Sequence, residues 1–139
     1  MTMTKRLLLL TMLFLATITP AAAQPAHTPQ PGTAERTQIL DAIRESAGLD
    51  IQFIVHSLRV AKGISAQYAH AVVEPSKQEY DGGEFLLKYE GKWRVVWSVN
   101  GGGTSDCRTA AIYYQSALRT LEVDGIEPDK LDPQLSKQY

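Results

Sequence analysis

Residues 85–99 constrain the fold more than any other part of the chain. Their sequence, FLLKYEGKWRVVWSV, places apolar residues at alternate positions on both sides of Glu90-Gly91. Alternation with a period of two indicates a strand with one buried face, and a two-residue turn that ends in glycine joins antiparallel strands. We therefore predict a β-hairpin in which Trp93 and Trp97 share the core face as its heaviest anchors.

A second pair of strands is predicted before this hairpin. Segments 51–60 and 64–74 are rich in β-branched and aromatic residues, and a three-residue loop with glycine, 61–63, separates them. The apolar side chains of the first segment change face midway, which separates Phe53 and Val55 from Leu58 and Val60. A β-bulge near Ser57 would return all of them to one face.

Helical periodicity flanks the four strands. Apolar residues at 39, 40, 43 and 47 share one helical face between Thr33, a capping residue, and Gly48, a helix stop. A second apolar stripe runs over 110–121, after several residues that can cap a helix. We predict an α+β domain made of an N-terminal helix, a curved four-stranded antiparallel sheet and a C-terminal helix, with both helices packed on one face of the sheet.

Residues 1–23 have the three parts of a secretory signal peptide: the basic Lys5-Arg6, an apolar run over 7–18, and Ala21-Ala22-Ala23. The run is shorter than the roughly 20 residues that span a membrane. We predict cleavage after Ala23 and a periplasmic or secreted protein without a stable membrane anchor. Residues 24–33 then form a proline-rich linker, 34–121 a single α+β domain and 122–139 a polar tail.

Charge and cysteine content exclude several function classes. The formal net charge is −1, whereas a nucleic-acid binder normally has a basic excess, so no nucleic-acid partner is expected. The three histidines and the single cysteine lack the spacing of a zinc site, so no metal or cofactor is predicted. Cys107 can form no intrachain disulfide, and it is either a buried thiol or an intermolecular link. We expect the acidic residues within 74–84 to be solvated.

The hairpin sequence FLLKYEGKWRVVWSV resembles the strand–turn–strand pattern of small proteins with nuclear-transport-factor-2-like or cystatin-like folds. The segments ERTQILDAIRESAG and FIVHSLRV resemble the leading helix and next strand of short secreted bacterial members of that group. The resemblance extends over about residues 35–121. It implies an α+β fold with a pocket between sheet and helix, as in the isomerases and dehydratases of the group. The chain has one obvious N-terminal helix where those enzymes have several, and it matches none of their catalytic motifs.

His56 and His70 are the candidate catalytic residues. If Val60 pairs with Ile64, His56 lies opposite Tyr68 and the two imidazoles are diagonal neighbours on one side of the sheet. They could then act as acid and base, with Tyr68 beside them as a candidate for ligand binding. A register slip of one residue would separate the two histidines, so the alternative is a pair of half-exposed sheet residues.

Asp106 and Cys107 are the other candidates for ligand binding. They follow three glycines, 101–103, at the start of the second helix. A helix N-terminus attracts anions and lowers the pKa of an exposed thiol. The alternative for Asp106 is a helix cap.

The functional hypotheses follow by elimination, because no nucleophile–base motif, metal motif or phosphate loop is present. The leading hypothesis is a non-enzymatic exported module that binds a protein or a small ligand, with an inhibitor or immunity-type protein as one form. The first alternative is a small pocket enzyme of the isomerase or dehydratase type that uses His56 and His70. The second is an assembly factor that forms a homodimer through its sheet or Cys107.

Overall fold

A computed structural model describes residues 24–77, 81–100, 106–135 and 137, with the side chain of Cys107 outside the description. These residues form an α+β fold on one antiparallel sheet. The strands are β1 (Gln24–His27), β2 (Phe53–Lys62), β3 (Gln67–Pro75), β4 (Gly83–Tyr89) and β5 (Trp93–Asn100). The helices are α1 (Ala34–Ala47), α2 (Cys107–Val123) and α3 (Pro128–Leu131). The predicted signal peptide, residues 1–23, lies outside the described residues.

The sheet has five strands in the order β1-β2-β3-β4-β5, so each strand pairs with its neighbours in sequence. The prediction of four strands was wrong, because part of the predicted linker pairs with the outer edge of β2. Gln24 lies opposite Lys62, and His27 lies opposite Val60. A proline is tolerated on an edge strand because its missing N–H is not needed for a second ladder, and Pro25 lies on this edge. The element order also differs from the prediction, since β1 precedes α1 and α3 follows α2.

The helices pack on opposite faces of the sheet, so the predicted packing on one face was wrong. On one face, here called the α1 face, the buried core is Ile39, Ala42, Ile43, Leu58, Val60, Ala69, Ala71, Val73, Phe85, Leu87 and Trp93. On the other, the α2 face, it is Ala61, Tyr68, Leu86, Trp97, Ala117, Leu121, Ile126, Leu131 and Leu135. Strand β4 shows the reason, because four consecutive residues, 84–87, are buried. A strand buried on both sides requires a covering layer on each side.

Two β-bulges decide which side chains enter which core. In β2, Val55 pairs with Val73 and Ser57 with Val72, so His56 is an extra residue and the predicted bulge is confirmed. In β5, Leu86 pairs with Trp97 and Leu87 with Val95, so Val96 is an extra residue. This second bulge places Trp93 in the α1-face core and Trp97 in the α2-face core. The prediction that both tryptophans share one face was therefore wrong.

The helix ends follow the capping residues. Thr33 caps α1 by accepting a hydrogen bond from the Arg36 backbone N–H, and Gly48 ends the helix with a φ of 67°. The αL conformation at Gly48 is one that glycine adopts without steric cost. Both residues confirm the sequence prediction. None of the helices in the described ranges is long and apolar enough to cross a membrane.

The segment 126–135 packs on the α2 face, although the sequence assigns it to a polar tail. Ile126, Leu131 and Leu135 are buried there, and so is Asp132. These four residues are separated by prolines and polar residues, so they show no period of two or 3.6 that would indicate a buried element.

Candidate functional site

A buried histidine lies at the centre of the α2 face. His70, on β3, is 1% exposed. Its Nδ1 lies 2.8 Å from Asp132 Oδ2, and its Nε2 lies 2.7 Å from Glu84 Oε1. Because a carboxylate can only accept hydrogen bonds, both ring nitrogens must carry a proton. His70 is therefore an imidazolium that donates to two carboxylates.

The ionisation of these groups is shifted by their contacts. Burial opposes the charged form of His70, but its hydrogen bonds and charge interactions with Asp132 and Glu84 outweigh burial and raise its pKa. The hydrogen bond from His70 lowers the pKa of Asp132 to about 2, and the hydrogen bonds from the Gln134 backbone and Ser57 act in the same direction. Both shifts favour the charged forms of His70 and Asp132.

Further side chains complete this assembly. The Tyr114 hydroxyl donates to Glu84 Oε2 at 2.6 Å, and Ser57 Oγ donates to Asp132 Oδ2 at 3.1 Å. We call His70, Glu84, Asp132, Ser57 and Tyr114 the His70 cluster. It joins β2, β3, β4, α2 and the segment after α3.

The His70 cluster is not arranged as a catalytic site. Ser57 donates to a carboxylate and not to the imidazole, so the cluster contains no hydroxyl–imidazole pair of the kind that activates a nucleophile. Both ring nitrogens of His70 are occupied by neighbouring side chains. The cluster therefore fastens the C-terminal segment to the sheet and offers no free acid or base.

The structure does not bring His56 and His70 together. Residues 63–66 form the β2–β3 connection, and Arg59, not Ile54, lies opposite His70. The register considered in the sequence analysis is not observed, because β2 continues to Lys62 and the connection begins two residues later than the loop assigned to it. His56 lies at the β2 bulge, where its side chain is 52% exposed and its Nε2 is 2.9 Å from Glu74 Oε2.

Tyr68 is fully buried and its hydroxyl is already bonded. It lies opposite Ala61 on the α2 face and donates to Asp124 Oδ2 at 2.5 Å, while Lys88 Nζ lies 2.9 Å from the same oxygen. Burial first, and then the hydrogen bond to Asp124, raise the pKa of Tyr68. These three residues connect the end of α2 to the sheet, so Tyr68 has a packing role in the described structure.

Asp106 is the N-cap of α2, which was the alternative to a binding role. Its carboxylate accepts hydrogen bonds from Thr109 Oγ1 at 2.7 Å and from the Arg108 backbone N–H at 2.9 Å. The bond from Thr109 and then that from Arg108 lower the pKa of Asp106. Cys107 is the first residue of α2, and the predictions about its thiol lie outside the described side chains.

Two clefts are formed by residues that the sequence did not single out. The first, which we call the helix–sheet cleft, lies on the α1 face at the C-terminal end of α1 and has a volume of about 410 Å³. Its lining is Ser46, Ala47, Leu49, Phe53, Val73, Pro75, Asp81, Gly83, Phe85, Ser98 and Asn100. These residues come from α1, four strands and two connections, so no local pattern predicts the cleft.

The second cleft lies on the α2 face, between the β1–β2 edge and α3. We call it the Arg59 cleft, and its volume is also about 410 Å³. Its lining is Gln24, Pro25, Ala26, Arg59, Ala61, Lys62, Gly63, Gly125, Ile126, Glu127, Asp129 and Lys130. Most of these residues fall in the predicted linker and the predicted tail, which explains why sequence patterns missed the cleft.

Comparison with known proteins adds no assignment. No family model matches the chain, and no curated protein or solved structure matches it. The resemblance to nuclear-transport-factor-2-like and cystatin-like proteins therefore stays a prediction. Within the described ranges, no group of three or more His, Cys, Asp or Glu side chains could hold a metal ion.

Proposed function

We propose that the protein is an exported, non-enzymatic binding module and that the helix–sheet cleft holds its small-molecule ligand. The observation that supports this proposal most directly is the chemistry of the cleft lining. Leu49, Phe53, Val73 and Phe85 provide an apolar floor, and Asp81, Ser98 and Asn100 provide polar groups around it. A concave site that combines apolar side chains with several polar groups fits a small ligand, and the cleft volume lies in the range of about 300–1,000 Å³ that is typical of such pockets.

The distribution of titratable groups favours binding over catalysis. Asp81 is the one ionisable side chain among the described residues that line the helix–sheet cleft. General acid–base catalysis requires a side chain that donates a proton to the reacting group or accepts one from it. Many enzymes use two such side chains with different pKa values. The isomerase or dehydratase alternative placed His56 and His70 in the pocket, and neither residue lines this cleft.

The lining also restricts the ligand. An apolar floor with a single carboxylate favours an uncharged or cationic molecule, because an anion would be repelled by Asp81. Phe53 and Phe85 offer aromatic surfaces to an apolar ring. We therefore expect a compact, largely apolar molecule with one hydrogen-bond donor.

Export is part of the proposal. Residues 1–23 carry the signal-peptide pattern, and all five described strands lie after Ala23. Cleavage after Ala23 would therefore remove none of these strands. N-terminal sequencing of the protein purified from the periplasm tests this, with Gln24 expected as the first residue.

The homodimer through the sheet or Cys107 also stays a prediction, and non-reducing gels of the same extract would reveal a Cys107-linked form.

The ligand site is tested by filling it. We expect the exported protein to bind the uncharged apolar dye Nile red saturably at a 1:1 ratio. Ser98→Leu should weaken this binding at least about fivefold, because Ser98 lines the cleft and a larger side chain would occupy part of it. Ser65→Leu is the matched control, since Ser65 is exposed in the β2–β3 connection. Binding that is equal in wild type and Ser98→Leu, or that never saturates, would contradict the proposed site.

A further inference from the structure

Arg59 is a cation without a partner in the part of the chain that the structure describes. Its Nε is buried and forms no hydrogen bond there. A buried donor is normally satisfied, because an unmade hydrogen bond in a site shielded from water is costly. The unsatisfied Nε therefore points to an acceptor that the described residues do not supply.

Arg59 forms no ion pair with the described residues around it. Its cross-strand neighbour is His70, whose pKa is raised by its own contacts with Glu84 and Asp132. The carboxylate oxygens of Glu84 and Asp132 that face His70 are used by its ring nitrogens. Among the described residues, no carboxylate oxygen lies within 4.0 Å of the Arg59 guanidinium.

The Arg59 cleft combines this guanidinium with an apolar wall. Pro25, Ala26, Ala61 and Ile126 line one part of the cleft, beside Arg59. Such a lining can hold a short hydrocarbon chain while Arg59 holds a charged end. The volume of about 410 Å³ is ample for a ligand of this size.

The charge balance of the cleft favours an anion. Arg59, Lys62 and Lys130 bring three positive charges, and Glu127 and Asp129 bring two negative ones. Cleavage after Ala23 would add the α-ammonium group of Gln24, which also lines the cleft. The positive excess attracts an anionic head group. The planar fork of a guanidinium matches the two oxygens of a carboxylate.

We propose that the Arg59 cleft is a second binding site, specific for small carboxylates that carry an apolar tail. The carboxylate accepts hydrogen bonds from the guanidinium of Arg59. The tail lies against Pro25, Ala26 and Ile126. This site is on the opposite face of the sheet from the helix–sheet cleft, so the two proposals stand or fall separately.

The test compares ligands with the same six-carbon tail and different head groups. Hexanoate, 1-hexanol and hexyl phosphate are each titrated into the ¹⁵N-labelled exported protein while the Arg Nε–Hε signals are followed by NMR. We expect hexanoate to shift the Arg59 signal saturably, to bind at least tenfold more tightly than 1-hexanol, which lacks the charge, and to bind no more weakly than hexyl phosphate. This comparison uses the wild-type protein, so it holds even if a variant fails to fold.

Variants then assign the interaction to Arg59. Arg59→Gln should weaken hexanoate binding at least tenfold, and Arg59→Lys should weaken it less, since it keeps the charge and loses the fork. Arg94→Gln is the control, because Arg94 is an exposed arginine on β5, and it should bind as wild type does. Ser98→Leu should also leave hexanoate binding unchanged. Equal affinity for hexanoate and hexanol, tighter binding of hexyl phosphate, or full binding by a folded Arg59→Gln would each overturn the proposal.

Discussion

At the scale of single residues, we expect His70 to contribute more to the stability of the fold than any other titratable group that the structure describes. A buried ion pair is expensive to form, and removing one partner leaves the other charge buried without compensation. In the His70 cluster the imidazolium contacts two buried carboxylates, those of Glu84 and Asp132. Its replacement should therefore cost much more than the replacement of an exposed histidine.

We expect His70→Gln to lower the free energy of unfolding by about 3–5 kcal/mol, the usual cost of breaking a buried pair. His56→Gln is the matched control, because its pair with Glu74 is half exposed and such pairs contribute about 0–1 kcal/mol. Urea denaturation at pH 5.5 measures both changes. A loss for His70→Gln as small as that for His56→Gln would show that the cluster adds no stability.

The pKa shifts predict how this stability depends on pH. The pKa of His70 is raised by folding, so its contribution is complete below its unfolded pKa of about 6.5 and is lost as pH rises through the folded value. The pKa of Asp132 is lowered to about 2, so its contribution is present above about pH 4 and is lost as pH falls toward 2. The stability difference between wild type and His70→Gln should thus be largest between about pH 4 and 6.5 and should shrink on the alkaline side. Urea titrations at pH 5.5 and pH 9 give the comparison.

The sequence did not reveal this cluster, for a physical reason. His70 was a candidate from its type, but its two partners lie 14 and 62 residues away. Glu84 belongs to an acidic stretch that we expected to be solvated, yet it is 8% exposed in β4. Asp132 lies in the predicted tail. A charged residue in the core is recognisable only through its partner, and no local pattern gives the partner.

At the scale of elements, the strands and helices were predicted well where periodicity is strong, but only one of the bulges in β2 and β5 was predicted. The β2 bulge was predictable because the apolar pattern changes face within one strand. The β5 bulge was not, because both of its halves contain a tryptophan and the uninterrupted alternation is equally consistent with one face. When both faces of a sheet are buried, an apolar residue can lie on either face. Its residue type therefore does not show which face it occupies.

The β5 bulge predicts a selective effect of a deletion. Removal of Val96 should return residues 97–100 to the opposite face, because side chains alternate along a strand. Trp97 would lose its ring contacts with Tyr113 and Tyr114, at 5.8 and 5.1 Å between centroids. We expect a loss of about 3–5 kcal/mol, which is typical of losing a buried tryptophan.

Val96→Ala is the control for this deletion. Val96 is 44% exposed, so its truncation should change the unfolding free energy by no more than about 0.5 kcal/mol. Urea unfolding followed by tryptophan fluorescence reports on both variants. Equal stability of the deletion and Val96→Ala would mean that the extra residue does not set the face of Trp97.

At the scale of the whole molecule, the sheet is a central layer covered by α1 on one side and by α2, α3 and the segment that follows on the other. The sequence predicted the α+β class but not this three-layer arrangement. Its second covering layer depends on residues 126–135, whose apolar members are too few and too irregularly spaced to show a pattern. The fold therefore continues beyond the predicted domain boundary at 121.

This extension predicts that the end of the chain contributes to the core. Leu135 is 1% exposed, and Leu135→Ala should lower the free energy of unfolding by about 2–5 kcal/mol. Lys137→Ala, two residues later at an exposed position, should have almost no effect. Thermal unfolding of the two variants makes the comparison. Equal melting temperatures would place Leu135 outside the cooperative unit.

The strand order has a consequence for the rate of folding. Every strand of the sheet pairs with its neighbour along the chain, so most contacts close short loops, and short loops form quickly. Longer loops are closed by the pairing of β1 with β2, by the packing of α1 on β5 and by the contacts of the C-terminal segment. Among these, Asp132 closes loops of 62 residues with His70 and 75 residues with Ser57. We infer that the sheet assembles first and that the C-terminal segment docks after the rate-limiting barrier.

Leu135→Ala should then accelerate unfolding and leave the folding rate nearly unchanged. Docking of this segment would be the step that completes the fold.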